Sequence, residues 1–343
     1  MQHATYFGEF LRDEVNLNQS RLDVLEERVE AVYTALCADA TVGSIITGKI
    51  PQGSWPHRLI IKPKPNGDFD ADLLLEMGEV DGWEPKQYIN EVYNAMHRHG
   101  TYSKQTHGRK CRCCYLQYAP ANLVGCHLDI VPFITLSDGR RVIVNRDDNV
   151  WEPDPGSTDP EAFSLWVARR DELTDKNFRK VVRLMKYLRD ERGSFNGVKS
   201  IILTTVMGLQ VTEFSAFDTD RYKNVPTALV HLVEDLDTWL QARPTKPHIA
   251  NPNGDGTNFN HRWEPETYNN FRDRIHSIAA DMRAAYEEED KAASIAAWQA
   301  LLGNNFTPPS PAIPKTGAAA NPVAKAAAAG FGTSRSKRSG RAG

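Results

Sequence analysis

Leu22, Leu25, Val29, Val32 and Leu36 recur at three- and four-residue spacing and predict an amphipathic helix over 21–38. The pattern then tightens. Residues 42–50 read as a strand or strand-turn ended by Pro51, 58–62 as extended chain, and Pro63, Pro65 and Asn66-Gly67 as a turn. Strands are predicted over 69–76, 113–118, 127–135 and 141–145, the last two joined by an Asp138-Gly139 hairpin turn, with a helix over 85–98. Asp154-Pro155-Gly156-Ser157 marks a loop, after which the spacing is mainly helical: 160–171, 175–191, 198–211, 225–242, 265–289 and 291–302. Thr174 is the expected cap of the second of these helices. No repeat of 20–50 residues is evident.

Three short segments carry the chemistry. They are Gln52-Gly53-Ser54-Trp55, Phe69-Asp70-Ala71-Asp72-Leu73-Leu74 and His127-Leu128-Asp129-Ile130-Val131-Pro132. Side chains alternate along a strand, so Asp70 and Asp72 project from one face while Phe69, Ala71 and Leu73 go to the other. Two adjacent carboxylates repel unless a cation lies between them. Asp129, also within an apolar strand, is against strand propensity in the same way. An all-oxygen set of this kind suits Mg²⁺, with Mn²⁺ as an alternative, and two such ions can activate a hydroxyl and stabilise a leaving pyrophosphate. Gly53 allows close backbone approach to a triphosphate, and Ser54 can donate to it. Each motif has a plainer reading alone: a common turn, a solvated strand end or calcium loop, an ion-paired edge residue. A calcium loop needs more oxygens and a turn glycine, which Leu73-Leu74-Leu75 does not supply. In this order, with apolar flanks, the metal site outweighs those readings.

Composition narrows the picture. The 343 residues are 41% hydrophobic and 25% charged, as in a soluble globular protein of two domains or one large one. No apolar run approaches the ~20 residues of a membrane span. Glu9, Arg12, Asp13 and Glu14 leave no room for a signal-peptide core, so a cytoplasmic protein is expected. The five cysteines, three of them crowded at Cys111, Cys113 and Cys114, make a poor disulfide framework and fit a reducing compartment. A zinc site at His107, Cys111, Cys113 and Cys114 is disfavoured, because Cys113 and Cys114 point to opposite faces of a strand. The net charge of −3 hides a split. Residues 304–343 hold six basic side chains and no acid, leaving the body with 35 basic against 44 acidic, a net of −9. That argues against an enzyme that grips a nucleic-acid backbone, although 92–128 contains five Lys or Arg and no acid.

The three motifs resemble those of polymerase-β-type nucleotidyltransferases: a Gly-Ser, an Asp-x-Asp strand, and a third Asp on a neighbouring strand. More closely, the chain resembles the bacterial cGAS/DncV-like nucleotidyltransferases of the anti-phage CBASS systems. The stretches 178–187 and 198–203, Asn251-Pro252, Trp263, Phe271 and the Ala-rich helices to Gly303 carry the likeness into the second half, so that it covers about 15–303. The chain departs where several relatives have a Thr after Gly-Ser and it has Pro56-His57-Arg58-Leu59, and in its longer spacing from Gly53 to Asp70.

The resemblance implies an α+β fold: a polymerase-β-like core of mixed sheet and helices at 1–155, with a long N-terminal helix bracing both lobes, a helical lobe at 156–303, and a disordered basic tail at 304–343. It implies catalysis by Asp70, Asp72 and Asp129 on two metal ions. Gln52, Gly53 and Ser54 would bind the triphosphate, with a helix lysine, Lys186, and a serine opening the next helix, Ser200. From spacing alone Lys186 lies at the edge of the stripe formed by Phe178, Val182 and Met185, able to reach out. The expected activity is condensation of NTPs, ATP or GTP among them, into a cyclic di- or oligonucleotide for a downstream effector. The alternatives are transfer of a nucleotide to an RNA end, a small molecule or a protein, and an inactive sensor. The resemblance also allows Gly343 to be a handle for a ubiquitin-transfer-like ligase.

Overall fold

The computed structural model describes residues 1–63, 69–121, 124–153, 161–252 and 256–308, with the backbone alone at 69, 70, 119–121, 124 and 153. The expected turn at 64–67, the loop at 154–157 and the tail from 309, with Gly343, therefore lie outside the described residues. Met1–Pro309 forms one compact unit.

Helix α1 (Ala4–Phe10) continues into a π-helical turn (Leu11–Val15), and after a break α2 runs Gln19–Cys37. The sheet contains β1 (Ile46–Gln52), β2 (Phe69–Gly78), β3 (Thr106–Arg109), β4 (Cys114–Ala121), β5 (Val124–Thr135), β6 (Arg141–Asn145) and β7 (Val150–Pro153), with α3 (Pro85–Arg98) between β2 and β3. Its order is β1-β2-β5-β4-β3, with β6 added to β5 and β7 to β6. β2 and β5 are parallel and paired from Phe69↔Cys126 to Gly78↔Thr135. The helical half holds α4 (Ala162–Leu173), α5 (Phe178–Arg192), α6 (Ser200–Gly208), α7 (Thr219–Tyr222), α8 (Val225–Gln241), α9 (Pro265–Glu287) and α10 (Lys291–Leu302).

Alternation along β2 and β5 decides what faces what. Ala71, Leu73, Leu75 and Met77, with Leu128, Ile130 and Ile134, form one face and pack against Leu25, Val29, Val32 and Leu36 of α2 and Ile89, Val92 and Met96 of α3. Each of these side chains larger than alanine contributes about 1.5–3 kcal/mol on full burial. The opposite face bears Asp72, Leu74 and Glu76 beside their register partners Asp129, Val131 and Phe133. Its apolar cover is small, a cluster of Leu74, Phe133 and Ile143. The carboxylate end of this face is thus free of the main core.

Four expectations change. Pro51 does not end β1 but pairs with Leu73. β1 is the sheet's edge, where a missing N–H costs no ladder bond. Residues 1–15, grouped above with the core, pack in the helical half: Phe7, Phe10, Leu11 and Val15 are buried there, and the bracing helix breaks before Gln19. The break lets the chain pass from the helical core to the sheet core, where Leu17 is buried. The tail does not begin at 304, because Phe306 is fully buried, its ring 4.9 Å from that of Phe7. The short β3 and β7 had no period long enough to detect; pairing with neighbours makes them strands. Thr174 is not the N-cap of α5: the helix starts later than its spacing suggested and Asn177 holds that position, while Thr174 Oγ1, three residues before it, accepts from Phe178 N at 3.0 Å.

Phe306→Ala is expected to cost about 3–5 kcal/mol, read as a lowered urea midpoint. A midpoint equal to wild type would show that 304–308 is not part of the core.

Candidate functional site

β1 ends at Gln52, the register partner of Asp72, and the next residue turns into the cleft. Gly53 has φ +73°, and a Cβ added there would overlap Asp72 Oδ2. Glycine is required twice over, for the backbone conformation and for the carboxylate's space. The loop then closes on itself: Arg58 N donates to Trp55 O at 2.9 Å and Leu59 N to Ser54 O at 2.8 Å.

Two cations of α5 hold this loop from the helical half. Arg183 Nη1 donates to Arg58 O at 3.2 Å, and Lys186 Nζ to Leu59 O at 2.7 Å. Lys186 does not reach out from an edge as its spacing suggested; only 5% of it is exposed. Burial, and then the nearby Arg189, lower its pKa to about 8. His57 is buried in the same loop, its ring 5.0 Å from that of Phe163. Burial and then Lys186 bring it down to about 4, so it is neutral at neutral pH.

Ser200 opens α6, and its Oγ accepts from Arg189 Nη1 at 3.2 Å. The first amides of a helix have no intrahelical partner and favour anions. A cleft of about 330 Å³ joins these parts. Gly53, Ser54, Asp72, Lys186 and Ser200 all line it, together with His57, Phe163, Lys199, Thr204 and Arg262. Of the expected residues with described side chains, Gln52 and Asp129 are not among its lining; each is a register neighbour of Asp72 on an adjoining strand. His57, Lys199 and Arg262 were missed. Lys199 adjoins Ser200, which was a usable signal; Arg262 had none, being brought in from a distant turn.

Asp129 is the Cα partner of Asp72 across the parallel pair and of Tyr115 across β4. Register partners project from the same face, so Gln52, Asp72, Asp129 and Tyr115 form a row across four strands. The backbone of Asp70 pairs with His127 one row away, while its side chain lies outside the described part. Lys110 Nζ donates to both Asp129 oxygens, at 2.9 and 2.8 Å. His127 Nε2 lies 2.8 Å from Asp129 Oδ1. Among the described residues, no three His, Cys, Asp or Glu side chains gather as a metal site. The two described carboxylates nevertheless fit part of an oxygen set for a divalent cation: they are register neighbours, and the Lys110 ammonium answers Asp129's demand for positive charge.

The cysteines separate. Cys114 Sγ donates to Ile89 O at 3.1 Å on the α3 side, and Cys111 Sγ to Asn145 Oδ1 at 2.9 Å. Cys113 is buried toward the Asp129 side, where burial and then the Asp129 charge push its thiol up to about 12. The basic stretch is largely engaged: Arg98 with Asp39, Arg109 with Asn90, Lys110 with Asp129, and Arg112 with Glu152. No helix among the described residues is long and apolar enough to cross a membrane.

Known proteins resemble this arrangement. The family model of the SMODS domain, the Second Messenger Oligonucleotide or Dinucleotide Synthetase domain, matches residues 1–171. A cyclic AMP-AMP-AMP synthase of an Acinetobacter species is 22% identical over 259 residues, covering 74% of this chain and 71% of that one. The fold superposes on Escherichia coli CdnC bound to ATP with a TM-score of 0.68 at 16% identity, covering 89% of this chain and 99% of that one. It superposes on the CD-NTase CdnG of Bradyrhizobium diazoefficiens, in complex with GTP, with a TM-score of 0.67 at 16% identity, covering 88% and 95%. Against Vibrio cholerae DncV, a cyclic AMP-GMP synthase in complex with nonhydrolyzable GTP, the TM-score is 0.67 at 14% identity, covering 90% and 97%.

Gly53→Ala should lower NTP turnover by about 10²-fold, the usual effect of a misplacement near 1 Å. Turnover within twofold of wild type would remove the glycine from the site. Since Lys186 is charged below about pH 8, kcat/KM for NTP should fall as pH rises past that point. Lys186→Met should lack this limb. A wild-type profile that stays level well above pH 8 would contradict the assignment.

Proposed function

We propose, on the premise that the chain is a CD-NTase, a nucleotidyltransferase of the cGAS/DncV type, that it condenses nucleoside triphosphates into a cyclic di- or oligonucleotide. One observation carries this reading. Gly53, Ser54, Asp72, Lys186 and Ser200, drawn from both halves of the chain, line a single cleft, and Asp129 stands beside Asp72 in register.

The donor triphosphate would lie against the Gly53-Ser54 loop and the N-terminus of α6, where amide and hydroxyl donors meet the phosphate oxygens. Lys186, charged below about pH 8, balances part of the triphosphate's charge. Asp72 and Asp129, with Asp70, would hold Mg²⁺ or Mn²⁺. When bound, the ions supply activation of the acceptor hydroxyl and stabilisation of the leaving pyrophosphate. A ribose hydroxyl oxygen bonds to the α-phosphorus, the bond to the β-phosphate oxygen breaks, and pyrophosphate leaves. Asp129 is placed in the proposal as acceptor of the hydroxyl proton. A second such step closes the ring. The protein's share is positioning and charge compensation, as in phosphoryl transfer generally.

A second-messenger role for the product is supported by the family description; its use in anti-phage defence, read by a downstream effector, is proposed from the resemblance to the CBASS enzymes alone. Transfer to an RNA end is the weaker reading, because the basic side chains of 92–128 are largely held by partners within the fold.

Incubation with the four NTPs and Mg²⁺ or Mn²⁺, then phosphatase and mass spectrometry, should yield a phosphatase-resistant cyclic product. Asp72→Asn should reduce it to background with an unchanged melting temperature. Only linear or mononucleotide-transfer products, or full turnover by Asp72→Asn, would overturn the reading.

A further inference from the structure

We propose that His127 is a positioning residue for Asp129, fixing the orientation of that carboxylate for metal binding. The proposal rests on the reading of Asp129 as a metal ligand. A carboxylate on a strand can rotate about its last torsion, a soft and roughly two-fold coordinate. A ligand that must meet a small cation with near-ideal octahedral demands benefits from losing that freedom.

His127 is built to remove it. Its Nε2 lies 2.8 Å from Asp129 Oδ1, and its Nδ1 lies 2.8 Å from Gln117 Oε1. Gln117 is its register partner on β4, so the β-ladder itself sets that contact. With the Gln117 amide turned so that its NH2 donates to Nδ1, a neutral imidazole donates Nε2–H to Asp129; with the amide oxygen on Nδ1, Nε2 instead accepts from Lys110 Nζ, 2.9 Å away. The ring is also stacked on Tyr115, with centroids 5.1 Å apart and planes at 20°. Tyr115 in turn lies where a Cβ on Gly108 would be. The imidazole is thus held on its face and at both nitrogens, with a side-chain exposure of only 19%.

Lys110 contrasts with it. Its ammonium meets the same carboxylate and also lies 2.9 Å from His127 Nε2, but its side chain is 47% exposed on a flexible stem. A lysine so placed can yield to a metal ion; the histidine cannot leave without breaking the stack. The two contacts therefore differ in kind, one exchangeable and one fixed.

The test is Mn²⁺ binding followed by electron paramagnetic resonance, in the full chain with a nonhydrolysable ATP analogue, alongside steady-state kinetics. His127→Ala should weaken Mn²⁺ binding by about 10–100-fold and lower kcat by a similar factor, with the KM for NTP unchanged. Gln117→Leu leaves the imidazole in place but frees its far nitrogen, and should shift both quantities in the same direction by less. Asp129→Asn separates the two ideas: if it retains turnover, the reading of Asp129 fails, whatever His127 does. If Asp129→Asn is inactive while both other variants bind Mn²⁺ within twofold of wild type, the positioning role is overturned. A fall in their kcat with Mn²⁺ affinity unchanged would overturn it as well.

Discussion

The parallel pairing of β2 with β5 sets Asp72 beside Asp129, and the site depends on that juxtaposition. Like charges on register neighbours of one face repel. The opposite face of the same strands tolerates this. Leu73, Leu75, Leu128 and Ile130 are fully buried against α2 and α3. A slip of one residue would turn the whole apolar set outward. The hydrophobic face thus fixes the geometry of the charged one. Lys110 offsets the charge on Asp129 within the fold.

The second dependence runs between the halves. Consecutive carbonyls of the loop after β1 accept from Arg183 and Lys186 of α5, so the loop's shape is shared between sheet and helices. Burial makes this contact costly for an ammonium, which is why the lysine titrates well below its ordinary value. The same buried cation also lines the cleft. A single side chain thus couples the loop's conformation to the charge of whatever occupies the cleft, and His57, neutral and packed on Phe163, fills the space behind it without adding to the positive charge.

Much of the fold was legible because it rests on local periodicity. The helices α3, α8 and α10 and the strands β2, β5 and β6 follow from spacing and turn residues, with boundaries shifted by only a few residues. What failed to show was short or shared. β3 and β7 exist through pairing alone. Phe306 sits in a stretch whose composition reads as tail, yet aromatic neighbours from both ends of the chain enclose it. The edge position of β1 excused Pro51 from the rule that a proline ends a strand.

The sequence by itself determined the carboxylate pattern and the turn beside it. A period of two, with acids on one phase and leucines on the other, already separates a charged face from a core, because alternation is a property of the strand and needs no partner. Only the tertiary structure decided who meets those carboxylates. Lys186 became a buried cation on the Leu59 carbonyl, Arg262 and Ser200 came to line the same cleft, and Gln117 and His127 were brought into register with each other. Those relations join residues far apart in the chain, and they are set by strand pairing and by the packing of one half on the other, which no local spacing encodes.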